Sequence, residues 1–386
     1  MSYQAQNQSY LSRSIAFHEQ QPLSMERGLN PAFDPEKMIP GGAVVQEDQR
    51  VALSFYAPSA SSVTAAVGME LQVPLEKQAN GLWLGQTEPL GPGFRPVSFF
   101  VDGVEVLNPM APLGYGACRP MNCVDVPDPQ VPEADLTDIP HGTVSREYYK
   151  SRVTGRFESC LVYTPAEYSC SGKAYPVLYL QHGHGENENC WVWQGKVNFI
   201  LDTLIHEKKA VPMIVVMNDG MVTRPDPIRG RVLDAPVLEE MLLRDCIPFV
   251  ESRYRVLPGK ENRAMAGLSM GSMQTSLITL KHPELFAYAG IFSGFMHNLM
   301  RVPEEREVHL DALSQPDFRQ RYRVFYRAMG ETDPFLQHFL DDDAMLEAQG
   351  LTQETWPAYT RRILPGSHEW RCWRICIKEF AQLIFR

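Results

Sequence analysis

The sequence predicts an α/β domain that follows a small all-β unit. Short alternating apolar runs, broken by Gly, Pro and Asn, occupy residues 43–109, which is typical of an antiparallel sandwich. After Gly142, near-continuous apolar runs alternate with helical patterns. That alternation indicates a sheet with helices on both faces.

Four segments follow one another along the chain: an N-terminal arm over 1–42, the β-sandwich over 43–109, a linker over 110–141 and the α/β domain over 142–386. The arm is rich in Gln, Ser and Pro and has no periodicity, so we assign it no fold. The linker is rich in proline, and we expect it to form neither helix nor sheet.

Apolar periodicity sets the expected elements. The sandwich strands are predicted at 51–56, 63–67, 82–84 and 97–101. The strands of the α/β domain are predicted at 159–163, 177–181, 213–217, 263–266, 289–292, 323–327 and 361–364. Helices are predicted at 199–206, 237–253, 270–280, 335–349 and 373–385.

Charge and composition exclude two classes of partner. The 386 residues include 36 Lys plus Arg and 46 Asp plus Glu, a net charge of −10, which is the wrong sign for a nucleic-acid-binding surface. With 44% hydrophobic and 21% charged residues and no long uncharged apolar run, the chain is typical of a globular protein without a membrane span. Its polar start lacks the pattern of a secretory leader, so we expect a cytoplasmic location.

The cysteines do not indicate a metal centre. Eight of them are scattered without a C-x-x-C pair, and in a reducing compartment such residues are mostly buried, unpaired thiols. Cys372 and Cys376 share a predicted helix, but no His or Cys nearby completes a tetrahedral zinc site. We expect neither a metal nor another cofactor.

The sharpest motif is Gly267-Leu-Ser-Met-Gly271, a G-x-S-x-G between a predicted strand and a predicted helix. In that context the motif forms a strained turn that exposes its serine at the start of the helix. The two glycines are needed because a Cβ at either position would collide with the neighbouring strand or helix. Ser269 is therefore the expected nucleophile.

A serine nucleophile needs a basic histidine, which this motif places after the serine and after an acid in the chain. His368 lies in a Gly-containing loop between the last predicted strand and the last predicted helix, where such a base is expected. His297, His309 and His338 also follow Ser269, but the first follows a strand too closely and the others lie in polar or helical sequence. We expect those three at surface or capping positions.

The acid is expected at Asp333, in a turn that follows the strand at 323–327. Glu331 is the near rival. The run Asp341, Asp342 and Asp343 lies on a predicted helix, and such a run favours a solvated helix face.

Two backbone N–H groups should stabilise an oxyanion, one from the residue after the nucleophile and one from the loop after the strand at 177–181. These are Met270 and His184. Reading His182 and His184 as metal ligands is less consistent, because alternate residues at a strand end point in opposite directions and no third ligand is near in the sequence.

Three tryptophans lie in segments expected to border this site. Trp191, Trp193 and Trp370 are candidate substrate-binding residues that could stack on an aromatic ring. Structural packing is an equal alternative for Trp191 and Trp193.

Residues 140–386 resemble the esterase D and feruloyl esterase group of α/β-hydrolases, which also includes acetyl xylan and enterochelin esterases. The resemblance rests on Ile139-Pro-His-Gly-Thr143, Tyr179-Leu-Gln-His-Gly183, the G-x-S-x-G with its trailing His282-Pro-Glu-Leu-Phe286, and Gly366-Ser-His368. Residues 50–108 resemble the immunoglobulin-like module, of a carbohydrate-binding type, that precedes such esterases, through Phe55-Tyr-Ala-Pro-Ser-Ala60 and Gly81-Leu-Trp83.

This resemblance implies an α/β-hydrolase catalytic domain preceded by an immunoglobulin-like sandwich. The group's nucleophile, acid and base fall on Ser269, Asp333 and His368, and its oxyanion donors on Met270 and His184. The residue after His-Gly is more often aliphatic in the group than the histidine found here. Because only its N–H is used, the difference affects the acyl pocket rather than the oxyanion site.

The implied activity is that of a serine carboxylesterase which cleaves feruloyl or other hydroxycinnamoyl esters of plant carbohydrate through an acyl-enzyme. The partner is then a small-molecule or oligosaccharide ester, with a homodimer as an open alternative. A trilactone siderophore esterase of the enterochelin type is the main rival, supported by Arg224, Arg229 and Arg231 in one loop because its substrate is strongly anionic. An acetyl xylan esterase is a second rival. A non-catalytic carbohydrate-binding protein fits less well, since Ser, Asp and His are all present.

Overall fold

The computed structural model describes residues 21–22, 38–68, 71–228, 230–233, 235–294, 296 and 310–386. Most of the N-terminal arm, together with His297, His309 and Arg229, lies outside the described residues. The chain divides into two compact units, Met1–Asp135 and Leu136–Arg386. Within the described ranges, no helix is long and apolar enough to cross a membrane.

Among its described residues, the first unit consists of strands and one 3₁₀ turn at Pro132–Ala134. Its strands are β1 (Gln21–Pro22), β2 (Met38–Ile39), β3 (Ala43–Val45), β4 (Val51–Tyr56), β5 (Val63–Val67), β6 (Leu71–Pro74), β7 (Glu76–Lys77), β8 (Leu82–Gln86), β9 (Gly93–Val101), β10 (Val104–Val106), β11 (Leu113–Gly116) and β12 (Arg119–Val126).

Two antiparallel sheets enclose the core of this unit. One has the strand order β3-β4-β8-β7 and the other β11-β12-β9-β5-β6, with β10 paired to β9, while β1 and β2 form a separate pair. Alternate residues of the strands point inward, so that Val51 and Leu53 share a core cluster with Phe99 and Val124. Trp83 belongs to the same cluster, and its indole N–H donates to the carbonyl of Ala57 at 2.9 Å.

The expectation that residues 110–141 form no sheet is wrong for β11 and β12. These strands pair with each other, and residues 122–126 of β12 also pair with β9. Pro120 lies at the end of β12 where β11 is its partner, and Pro127 and Pro129 follow the strand. A proline is tolerated at a strand end because no internal ladder bond depends on its missing N–H.

The second unit alternates strands and helices, as predicted. Its strands are β13 (Thr143–Lys150), β14 (Phe157–Thr164), β15 (Val177–Gln181), β16 (Ile214–Asn218), β17 (Thr223–Asp226), β18 (Gly230–Leu233), β19 (Arg263–Leu268), β20 (Tyr288–Phe292), β21 (Val324–Gly330) and β22 (Tyr359–Leu364). Its helices are α1 (Tyr168–Ser171), α2 (Cys190–Trp193), α3 (Val197–His206), α4 (Ala235–Met241), α5 (Ile247–Arg253), α6 (Met270–Lys281), α7 (Phe318–Arg321), α8 (Leu336–Ala348) and α9 (Trp370–Leu383).

Eight strands of this unit form one mixed sheet in the order β13-β14-β16-β15-β19-β20-β21-β22. The six strands β16, β15, β19, β20, β21 and β22 are parallel, and β14 and β13 extend the sheet at one edge as antiparallel strands. Every residue of β15, β16 and β20 is buried, because helices cover both faces of the parallel part. The α/β prediction is therefore confirmed.

One predicted helix is interrupted. The pattern at 237–253 becomes α4, a π-helical turn at Leu242–Cys246, and α5. Pro248 follows the π-helical turn closely, and its missing N–H and its ring disfavour a regular helical ladder of hydrogen bonds at this point. The carboxyl ends of the parallel strands lie at the same edge of the sheet. The loops that follow β15, β19, β21 and β22 at this edge carry the candidate site.

Candidate active site

The G-x-S-x-G motif forms the predicted strained turn between β19 and α6. Ser269 has φ +50° and ψ −118°, and its N–H donates to the carbonyl of Phe292 at 3.0 Å. A Cβ on Gly267 would lie 2.4 Å from the carbonyl oxygen of Gly271, and a Cβ on Gly271 would lie 2.6 Å from that of His182. Both glycines are therefore required for this close approach of backbone segments.

Ser269, His368 and Asp333 form a hydrogen-bonded chain. The Nε2 atom of His368 lies 3.0 Å from Ser269 Oγ, and its Nδ1 lies 2.8 Å from Asp333 Oδ2. The second carboxylate oxygen of Asp333 accepts the N–H of Phe335 at 2.9 Å. Because the buried carboxylate can only accept from Nδ1–H, Nε2 is left with the lone pair that a serine proton needs.

Aromatic rings hold the imidazole in place. The ring of Phe335 packs against His368 with centroids 5.1 Å apart, and Trp373 packs edge-on at 5.2 Å. Asp333 has a buried side chain at the start of the turn that leads into α8. The base and the acid therefore arrive from different loops in a fixed orientation.

The rival groups are not part of this chain of hydrogen bonds. Glu331 is exposed, and His338 lies on α8. The expectation of a solvated face for the acidic run is wrong for Asp342 and Asp343, which form ion pairs with the buried Arg327 of β21. A buried guanidinium requires such partners, and sequence spacing alone did not reveal this one.

The two backbone amides expected to stabilise an oxyanion are those of Met270 and His184. Met270 is the first residue of α6, so that its N–H has no partner within the helix. His184 lies in the turn after β15, with an exposed side chain. In the part of the chain that the structure describes, neither N–H is donated to a protein acceptor.

His182 braces this turn from within the protein. The residue is buried, its Nδ1 lies 2.8 Å from the carbonyl of Gly183, and the N–H of Gly220 donates to its Nε2 at 2.8 Å. Burial would lower the pKa of His182, but nearby Asp219 outweighs that effect and raises it.

A metal site finds no support at these histidines. Both ring nitrogens of His182 are occupied by backbone groups, and its neighbour His184 points to solvent. Among the described residues, no group of three His, Cys, Asp or Glu could hold a metal ion. Burial raises the pKa of the Cys372 thiol to about 12 and that of Cys376 well above its ordinary value, so these two are poor thiolate ligands.

Two of the three candidate substrate-binding tryptophans are buried. Trp191 is 1% exposed and donates its indole N–H to the carbonyl of Gln181, while Trp370 is 4% exposed and opens α9. Their rings pack edge-to-face at 5.2 Å. Both rings lie in the protein interior, and of the three tryptophans only Trp193 remains partly exposed.

Sequence reasoning missed two acidic residues beside the site. Glu186 accepts hydrogen bonds from the N–H of Gly183 at 3.0 Å and from Trp370 Nε1 at 3.1 Å. Asp219 accepts the N–H of Met221 at 2.8 Å and approaches His182 Nε2 at 3.3 Å. Each lies within five residues of the carboxyl end of a buried parallel strand. Sites of α/β proteins form at such strand ends, so this position could have identified both residues from the sequence.

Comparison with known proteins gives the family. Residues 151–380 match the family described as "Putative esterase". The chain is 33% identical over 373 residues to the endo-1,4-beta-xylanase/feruloyl esterase of Xylanibacter ruminicola, an alignment that covers 92% of this chain and 47% of the relative. The chain thus spans about half the length of that curated relative.

Solved structures share the fold. A ferulic acid esterase from Anaeromyces mucronatus in complex with ferulic acid has a TM-score of 0.57 and 22% identity, and the match covers 67% of this chain and 96% of that one. The enterobactin esterase from Shigella flexneri, in the presence of enterobactin, has a TM-score of 0.61 and 15% identity, with 86% and 92% covered. These matches agree with the α/β-hydrolase type of sheet described above.

Proposed function

The chain belongs to this esterase family, and on that premise we propose that it is a serine carboxylesterase for feruloyl or other hydroxycinnamoyl esters of plant carbohydrate. The observation that carries the proposal is the chain of hydrogen bonds from Ser269 through His368 to Asp333. The curated relative named a xylanase and feruloyl esterase supports the substrate class.

The proposed reaction has two halves. Nε2 of His368 takes the proton of Ser269 Oγ as the oxygen attacks the ester carbonyl, and Asp333 stabilises the resulting imidazolium. The N–H groups of Met270 and His184 stabilise the negative charge on the former carbonyl oxygen. His368 then protonates the departing alcohol oxygen, which leaves an acyl group on Ser269. Water, activated by the same histidine, attacks that acyl carbonyl and releases the acid and the free serine.

Hydrolysis of a siderophore trilactone is the second candidate. The match to the enterobactin esterase covers 86% of this chain, so the matched part extends beyond the second unit. A strongly anionic ferric catecholate would require several cations around the site. Lys196, which follows the loop after β15, is buried. A buried ammonium group is not accessible to an anionic substrate, and this favours the uncharged feruloyl ester. Acetyl xylan esterase activity is the remaining alternative.

For the first unit we propose an immunoglobulin-like sandwich, supported by its two antiparallel sheets around one core. Glucan-binding modules use exposed aromatic side chains, whereas Trp83 is 6% exposed here. A structural module fits that burial better than a sugar-binding one.

The location we propose is a reducing, cytoplasmic one, which is supported by the eight free cysteines, six of them buried. A homodimer is the oligomeric state left open by the sequence, and the molar mass from light scattering after size-exclusion chromatography tests it.

The test of catalysis compares Ser269→Ala with a matched control. Ser252→Ala removes an exposed hydroxyl on α5 that donates to the carbonyl of Phe249, so it should retain full activity and labelling by a fluorophosphonate probe. Ser269→Ala should lose labelling and several orders of magnitude in kcat. Turnover that persists in pure Ser269→Ala protein would refute the mechanism.

The test of substrate measures kcat/KM side by side. The panel is methyl ferulate, a feruloylated arabinose oligomer, a small acetyl ester and a ferric catecholate trilactone. We expect the feruloyl esters to be preferred. A trilactone that exceeds them by more than about tenfold, which corresponds to about 1.4 kcal/mol, would overturn the substrate assignment.

A further inference from the structure

We propose that Glu186 is a positioning residue of the oxyanion site, which shapes the turn at residues 183–186 and ties that turn to the loop of the catalytic base. This inference rests on the proposed esterase function. Glu186 itself would touch no substrate atom.

Two hydrogen bonds close the turn on itself. The N–H of Glu186 donates to the carbonyl of Gly183 at 3.3 Å, and Glu186 Oε2 accepts the N–H of Gly183 at 3.0 Å. Gly185, inside the turn, has φ +77°, which suits a residue without a side chain. The Gly183 N–H is thereby occupied, and His184 is the next donor along the chain.

The other carboxylate oxygen reaches the neighbourhood of the base. Glu186 Oε1 accepts the indole N–H of Trp370 at 3.1 Å, two residues after His368 in the sequence. Trp370 also packs edge-on against Trp373 at 5.2 Å, and Trp373 contacts His368 at the same centroid distance. A single carboxylate therefore links the oxyanion turn to the packing that holds the imidazole.

Burial works against the ionised form of Glu186. Burial raises the pKa of the Glu186 carboxyl, and the Gly183 N–H, His182, the Trp370 N–H and His368 offset part of that rise. Here ionisation is disfavoured by the surroundings, while two donors that shape the site depend on the carboxylate.

Glu186→Met and Glu186→Gln separate the two bonds. Methionine keeps the length of the side chain and removes both acceptors, whereas glutamine keeps one acceptor oxygen and places an N–H₂ group against the other donor. Glu188→Gln is the matched control. That carboxylate, two residues further along, accepts from Ser159 Oγ at 2.7 Å and pairs with Arg146, away from the turn.

The measurements are kcat and KM for methyl ferulate, the affinity for an aryl boronic acid, the affinity for ferulate, and the melting temperature. The boronate adduct on Ser269 places an oxygen where the oxyanion would form. Loss of an oxyanion donor typically lowers kcat by 10²–10³-fold, so a misaligned donor in Glu186→Met should cost about 10- to 100-fold. Glutamine should give a smaller loss.

In the Glu186 variants, the expected pattern is a fall in kcat and boronate affinity by similar factors, with KM, ferulate affinity and melting temperature nearly unchanged. Glu188→Gln should keep the wild-type kcat and boronate affinity, whatever the loss of its ion pair with Arg146 costs in melting temperature. A kcat within about twofold of the wild type in both Glu186 variants would overturn the inference, as would a loss confined to KM. If the methionine variant does not fold, the glutamine variant alone decides. An inactive wild-type protein would instead refute the esterase function.

Discussion

Replacing Asp333 with Asn tests the orientation of the base with the smallest change in shape. The carboxylate uses one oxygen to accept from Phe335 N–H at 2.9 Å and the other to accept from His368 Nδ1 at 2.8 Å. An amide can keep its oxygen on the Phe335 N–H only by turning its N–H₂ group toward Nδ1. Nδ1 must then accept, and the proton of the neutral imidazole moves to Nε2, which faces Ser269.

This tautomer cannot take the serine proton. In a serine hydrolase with the same arrangement, the equivalent change lowers kcat by roughly 10⁴-fold, or about 5.4 kcal/mol of activation free energy. The fold should be kept, because the amide matches the carboxylate in volume. We therefore expect a kcat lower by about 10³- to 10⁴-fold on methyl ferulate, and a melting temperature within a few degrees of the wild type.

The control is Glu331→Gln, which makes the same chemical change at an exposed carboxyl two residues away. Its kcat should stay within about twofold of the wild type, because surface substitutions seldom exceed ±0.5 kcal/mol. If the effects of the two variants are exchanged, Glu331 is the acid and the role of Asp333 is refuted. Equal activity in both variants would refute an orienting acid altogether.

Three further outcomes follow from the structure. Gly271→Ala should destabilise the protein by about 1–3 kcal/mol or more, since its Cβ would lie 2.6 Å from the carbonyl of His182, whereas Gly91→Ala, with 3.8 Å of clearance, should leave the melting temperature unchanged. Burial would raise the pKa of Asp245, but hydrogen bonds from the turn at 151–153 lower it below its ordinary value. Its stabilisation is therefore present above about pH 4 and lost as the pH falls further, so Asp245→Asn should cost about 2 kcal/mol at pH 7 and progressively less in acid, as urea unfolding would measure. EDTA should leave the hydrolysis rate unchanged, and a rate that zinc restores after chelation would contradict the metal-free mechanism.

The parallel strands could be predicted because they are buried on both faces and leave continuous apolar runs. The edge strand β13 left no such signal, since only Tyr149 among its eight residues is buried. In the proline-rich segment, composition argued against the sheet, but the prolines stand at strand ends while Asn122 to Val126 are buried and pair with β9. Proline content indicates where a ladder stops rather than whether one exists.

Chain order predicted the positions of Ser269, Asp333 and His368. It could do so because the loops that follow parallel strands all lie at the same edge of the sheet. What sequence could not supply was the partner of each polar group. The sequence predicts a solvated face for Asp342 and Asp343, whereas both form ion pairs with Arg327 of β21. Such a pairing depends on three-dimensional contact between a helix and a strand, which local periodicity does not encode.

The tryptophans illustrate a distinction between supporting a site and contacting its ligand. Both Trp191 and Trp370 have their indole N–H committed to groups on the turn after β15 or on the strand itself. Their rings pack on each other, and the packing continues through Trp373 to His368. Truncation of either ring would therefore disturb the oxyanion turn and the base together, and it would lower kcat for alkyl and aromatic esters alike. Of the three tryptophans, Trp193 alone stays partly exposed, so we expect it, rather than Trp191 or Trp370, to contact an aromatic acyl group.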